Sequence, residues 1–143
     1  MSRFKYKFRA IEDIKEKIKK NSEKEYAISK KIADAKRLEI DKLKTEQENS
    51  FIQREVLNVQ EMVFLEKYRD SLAKRIEFKK KELVALENEC DQKLKQLVDH
   101  HKDHKVFERL KEKHHEEYNK VQYKHEMKTI DEMANQQFNR KEK

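Results

Sequence analysis

Six histidines, His100, His101, His104, His114, His115 and His125, lie within 26 residues of a 143-residue chain. Imidazoles can hold a metal, carry a proton switch or line a helix. His100 and His104 stand one helical turn apart, and Asp99 and Asp103 flank them. Such a pair suits a borderline metal, but a structural zinc site wants four ligands, and no CxxC or HExxH motif supplies the rest. Imidazole titrates close to physiological pH, so a proton switch is a second reading. A desolvated imidazole favours its neutral form, and a seam built on it loses stability as pH falls. The third reading makes them polar residues on a helical stripe, and this one is adopted. Serines 22, 29, 50 and 71 have no glycine-bounded elbow, and the many carboxylates are spread over a solvated surface. The chain is therefore read as no enzyme, with no metal and no cofactor.

Composition explains why chemistry is scarce. There is no glycine, no proline and no tryptophan; 45% of residues are charged and 35% apolar. Tight turns draw on glycine and proline, and phosphate-cradling loops need glycine. What remains is long helix or coiled coil. Net charge is +7, concentrated at the amino terminus: residues 1–20 carry eight Lys/Arg against three acids. That face suits an acidic partner. Nucleic acid is not expected, because acids interrupt the basic residues elsewhere. The single Cys90 excludes an internal disulfide and fits a reducing compartment. No apolar run approaches the length of a membrane span, and the opening residues lack the apolar stretch of a secretory signal. These features predict a soluble, cytoplasmic protein.

Periodicity predicts the architecture. Phe4, Phe8, Ile11, Ile14 and Ile18, then Ile28, Ile32, Ala35, Leu38 and Leu43, form one apolar stripe on a first helix of about 3–48. A second helix of about 59–138 carries Leu65, Tyr68, Leu72, Ile76, Leu83, Leu86, Cys90, Leu94, Leu97, His101, His104, Phe107, Leu110, His114, Tyr118 and Val121. Between them the phase is lost, placing a connection at about 49–58. Asn58 and Glu61 have the spacing of a capping box for the second helix. The fold class is therefore all-α: one long antiparallel two-helix coiled-coil hairpin with unequal arms. Equal rise per residue leaves a carboxy-terminal helical overhang of some 30 residues beyond about residue 104.

Three segments carry a family resemblance. They are "FKYKFRAIEDIKEKI", "NVQEMVFLEKYRDSLAKRI" and "FERLKEKHHEEYNKVQYKHEMKTIDEMANQQFNR". In order and spacing they resemble the opening, the second-helix start and the carboxy-terminal signature of the FliJ family of flagellar type III export proteins. The signature falls here on Glu108, Leu110, Lys111, Glu112, Lys113, Tyr118, Glu126, Asp131 and Glu132. The family's turn often contains glycine, and this one has none. The resemblance implies a non-enzymatic, cytoplasmic, mostly monomeric protein at the inner-membrane flagellar base, serving motility and chemotaxis. It implies a central stalk of the hexameric export ATPase that links the ring to the export-gate membrane protein and handles export chaperones. Arg3, Phe4, Lys5, Lys7, Phe8, Arg9, Phe107, Tyr118, Asp131 and Glu132 are then candidates for ring contact. Tyr68, Leu72 and Ile76 are candidates for gate docking, or else plain seam. A virulence-type injection stalk and a self-associating structural coiled coil are the alternatives.

Overall fold

In the computed structural model, residues 3–52 and 57–142 are described, with only the backbone of Ile52. The described residues form two helices, α1 (Arg9–Ile52) and α2 (Val59–Lys141), and no strand. The fold is an all-α helical hairpin. It divides into two compact units, Lys19–Asp99 and Met1–Ile18 with His100–Lys143.

The capping box is present at the start of α2. The Glu61 amide donates to the Asn58 side-chain oxygen at 2.8 Å, and the Asn58 amide donates to the Glu61 carboxylate at 3.2 Å. Two donors that helix geometry leaves orphaned are thereby satisfied. At its other end the connection is shorter than the expected 49–58, because α1 runs on to Ile52. The Ser50 hydroxyl donates to the Gln47 carbonyl at 2.6 Å, and the Arg69 guanidinium donates to the Ser50 carbonyl at 2.5 Å. Those bonds carry the helix through two poor helix formers. Residues 53–56 of the expected connection lie outside the described residues.

Within the unit Lys19–Asp99, α1 turns Ser22, Tyr26, Ser29, Ala33, Lys36, Ile40, Leu43, Gln47 and Ser50 inward, at spacings alternating four and three. The facing residues of α2 are Leu65, Arg69, Leu72, Ile76, Lys79, Leu83, Leu86, Cys90, Lys93 and Leu97, in the same alternation. This is a heptad seam, and the helices are antiparallel across it. Its chemistry is lopsided. α1 offers small side chains, with Ala33, Ser22, Ser29 and Ser50 all buried, and α2 fills the space between them with leucine. Leu72, Ile76 and Leu43 form the apolar cluster of the seam, and Leu72 is only 1% exposed.

That seam corrects the stripe read from the sequence on α1. Ile28, Ile32 and Leu38 are exposed, Ile32 at 49%. They fall on a neighbouring face of α1, and the isoleucine of α1 that does meet the seam is Ile40. On α2 the expected stripe holds at most positions. Tyr68 and Leu94 fall outside it, and Arg69 and Lys93 take the heptad positions next to them. Lysine is tolerated in a seam when its stem packs and its ammonium reaches the rim. Lys36 meets Glu82 at 2.8 Å, Lys79 meets Glu39 at 2.7 Å, and Lys93 meets Glu25 at 3.2 Å. On the rim Arg37 bridges Asp34 at 2.6 Å and Glu87 at 2.9 Å.

In the unit Met1–Ile18 with His100–Lys143, α1 begins at Arg9 rather than near residue 3. Exposure of residues 3–9 alternates strictly: Phe4, Tyr6 and Phe8 turn inward while Arg3, Lys5, Lys7 and Arg9 turn out. An extended chain puts every second side chain on one face, and a helix does not. The chain is accordingly non-helical at 3–6 and turns at 7–8, with the Arg9 amide donating to the Tyr6 carbonyl at 3.3 Å. Ile11, Ile14 and Ile18, expected on the seam, are exposed, and Glu12, Lys15 and Glu16 are half-buried. Cover of α2 reaches Tyr118, well past the expected residue 104. Beyond Gln122 every described residue is exposed, so the lone stretch of α2 is shorter than expected.

Two predictions test the seam. Leu72→Ala removes the most buried side chain and should cost ~2–5 kcal/mol, read from chemical denaturation. Ile32→Ala should stay within ~0.5 kcal/mol; a large cost there would mean that the isoleucine stripe is the true seam. The second concerns acid. The Glu39 carboxyl is held below its usual 4.5 by the hydrogen bond from Lys79 and by the charge of Lys36. A lowered folded pKa gives stability that is present above 4.5 and lost as pH falls through the folded value. Thermal midpoints should therefore fall across that window, and more shallowly in Glu39→Gln than in the native chain.

Candidate functional site

The amino-terminal segment is fastened to α2 through its aromatic face. Phe4 packs on His115 edge to face, ring centroids 4.9 Å apart, and on Tyr118 at 5.4 Å. Tyr6 and Phe8 both lie against His114, at 5.9 and 6.1 Å. The Tyr6 hydroxyl donates to the Phe107 carbonyl at 2.9 Å. Burial of the phenol, with the Glu12 carboxylate as the smaller cause, raises its pKa above 10.0. Glu12 in turn meets Lys111 at 3.8 Å, and Lys15 meets Asp103 at 3.9 Å. Glu12 and Glu16 are drawn inward while Arg3, Lys5, Lys7, Arg9 and Lys17 remain outside, with Asp13 the one exposed acid among residues 3–18. The outer face of the segment is therefore more basic than its composition suggests.

Of the ring-contact candidates, Phe4, Phe8, Phe107 and Tyr118 are brought together in this one cluster, half-buried. Arg3, Lys5, Lys7 and Arg9 form its outer face. Asp131 and Glu132 stand apart from it on the lone stretch of α2, fully exposed. Of the gate-docking candidates, Leu72 and Ile76 are buried with Leu43, and Tyr68 is 42% exposed. The Tyr68 hydroxyl reaches the Glu46 carboxylate at 3.5 Å. It lines an open hollow of about 720 Å³ with Phe64, Leu65 and Leu57. Sequence reasoning missed Tyr6, whose signal was the strict alternation in "FKYKF". It also missed Arg69, which caps the end of α1 and lies over the Phe51 ring at 4.4 Å.

The histidines separate. His104 is buried, its Nδ1 3.5 Å from the Glu108 carboxylate; His100 and His114 are half-buried; His101, expected on the seam, is exposed. Among the described residues no three His, Cys, Asp or Glu side chains gather as metal ligands. No helix among them is long and apolar enough to cross a membrane. The arrangement offers surface, charge and aromatic anchors, which is the equipment of a binding protein.

Tyr6 yields a prediction of its own. Its raised folded pKa gives stability that is full below 10.0 and lost as pH rises through the folded value. Tyr6→Phe should cost ~0.5–1.5 kcal/mol near neutral pH and should flatten the alkaline loss, followed by helicity against pH. An unchanged alkaline profile would show that Tyr6 does not carry it. As for kinship, a family model described as "Flagellar FliJ protein" matches residues 4–143. Comparison with curated proteins and with solved structures gives no match. Because that match runs from the aromatic–basic segment to the end of the lone helix, the chain belongs to the FliJ family, whose members are non-catalytic components of the flagellar export apparatus.

Proposed function

We propose that this protein is the central stalk of the hexameric flagellar export ATPase. In this reading it links the ring to the export-gate membrane protein, escorts export chaperones, and works in the cytoplasm at the inner-membrane base of the flagellum. One observation carries the reading. The outward basic face of residues 3–9 is held by aromatic anchors on α2, in the same compact unit as a helical stretch with no internal partner. A rigid basic face meets acidic loops with little ordering cost. A lone amphipathic helix provides apolar anchors for a ring lining. For the gate, Tyr68 and its hollow are the docking surface. Leu72 and Ile76 act behind it by holding the seam shut.

The test is ATP turnover by the purified export ATPase, alone, with the full chain, and with a variant lacking residues 123–143. Residues 123–142 are all exposed, and circular dichroism checks that the shortened chain keeps its remaining helix. A Lys5→Glu, Lys7→Glu double variant probes the basic face. Stimulation by the full chain that drops severalfold in each variant is the expected outcome. Absence of both stimulation and co-elution with the ATPase would overturn the stalk.

A further inference from the structure

The isoleucines that the seam leaves outside share a face of α1 with lysine. Within the unit Lys19–Asp99 that face consists of three columns, each spaced by heptads. Ile28 and Ala35 run down the middle, where Asn21 and Lys42 end the apolar stretch. Glu25, Ile32 and Glu39 form the edge toward α2, and Lys24, Lys31 and Leu38 form the edge away from it. Every residue of the face from Lys24 to Glu39 is exposed, Ile28 at 59% and Leu38 at 62%. The two edges differ in charge. Glu25 is bonded to Lys93 at 3.2 Å and Glu39 to Lys79 at 2.7 Å, so the acids of the inner edge are neutralised within the hairpin. Lys24 and Lys31 have no carboxylate partner among the described residues. The face is apolar along its middle, neutral on one edge and positive on the other.

We infer that this face of α1 docks an acidic amphipathic helix of another protein. The apolar stripe of that helix lies along Ile28, Ile32, Ala35 and Leu38, and its carboxylates meet Lys24 and Lys31. A helix surface has no free backbone edge, so it cannot hold an extended peptide by strand addition; side chains arranged in rows receive the rows of another helix. The stretch from Lys24 to Glu39 is roughly 24 Å long, enough for about four turns of a partner. Charge decides against a second copy of the chain. Laid antiparallel on the same face, a copy sets the lysine column against itself. Laid parallel, its lysines face Glu25 and Glu39, which already bond Lys93 and Lys79. An acid-flanked helix meets bare lysine on the outer edge and no unpaired carboxylate on the inner one. No residue of this face belongs to the surfaces proposed for the ring or the gate, so the docking face stands independently of the stalk reading.

The probe is a fluorescein-labelled synthetic helix with leucine at alternating third and fourth positions and glutamate beside that stripe. Its control is a peptide of the same composition with the pattern scrambled. Fluorescence anisotropy with the full chain should show saturable binding of the patterned peptide, about tenfold tighter than of the scrambled one. Lys24→Glu with Lys31→Glu should weaken the patterned peptide about tenfold, and Ile28→Ala with Ile32→Ala should do the same. Lys30 and Lys44 stand a heptad on either side of Arg37, on the flank that meets Glu87. Lys30→Glu with Lys44→Glu removes the same charge there and should change binding by less than about twofold. All the substituted side chains are exposed, and circular dichroism confirms that each variant keeps its helix. Absence of binding by the patterned peptide overturns the inference. Equal binding of both peptides, or an equal loss in the Lys30 and Lys44 variant, shows attraction by net charge alone and overturns it as well. Uptake by phosphatidylglycerol vesicles that the Lys24 and Lys31 variant loses, without peptide binding, assigns the face to a lipid surface instead.

Discussion

Everything in the unit Lys19–Asp99 depends on a seam in which one helix is deliberately slight. α1 presents serine or alanine at Ser22, Ser29, Ala33 and Ser50, where most coiled coils present leucine or isoleucine, and buries Ile40 and Leu43 between them against the larger residues of α2. Small residues let the backbones approach and leave room for large knobs opposite. The apolar mass buried this way is modest, so the seam relies on lysine stems lying in the groove and on carboxylates waiting at its edges. The same lopsidedness explains the isoleucines left outside. They are not needed to close the pair, and the heptad that closes it does not pass through them.

The fold class was legible because composition and period leave few alternatives. A chain without glycine or proline, with apolar residues every three or four positions, becomes paired helices. α2 was legible at most positions, since of its leucines only Leu94 is exposed and the others are buried or half-buried. α1 was not. There hydropathy and burial part company, and a reading that follows isoleucine selects a face about a quarter-turn away from the one that Ser22, Ser29 and Ala33 occupy. No single-helix pattern reveals this, because what decides it is the size of the residues across the seam.

The candidate site was legible in outline. The basic character of the opening residues, and the aromatic residues among them, can be read directly. Their arrangement could be read only by choosing the right period. Phe4 and Phe8 are four apart and fit a helix; with Tyr6 between them they fit an extended chain better, and burial follows the second pattern. The inward turn of Glu12 and the pairing of Tyr6 with a backbone carbonyl belong to tertiary structure and leave no local trace. The histidines are a case where an unusual count misleads. One is buried, two are half-buried, and the rest are exposed.

The ion pairs across the seam also bear on slippage. Heptad phase by itself tolerates a slide of seven residues, since each inward position is then carried onto another inward position. The charges do not. Moving α2 by one heptad in one direction carries Arg75 to the place of Glu82 beside Lys36, and Leu72 to the place of Lys79 beside Glu39. One slide thus converts an attraction into a repulsion and strands a carboxylate against a hydrocarbon. The hairpin resembles a ruler with unequal tick marks, along which only one alignment reads true, and salt blurs the marks before heat erases them.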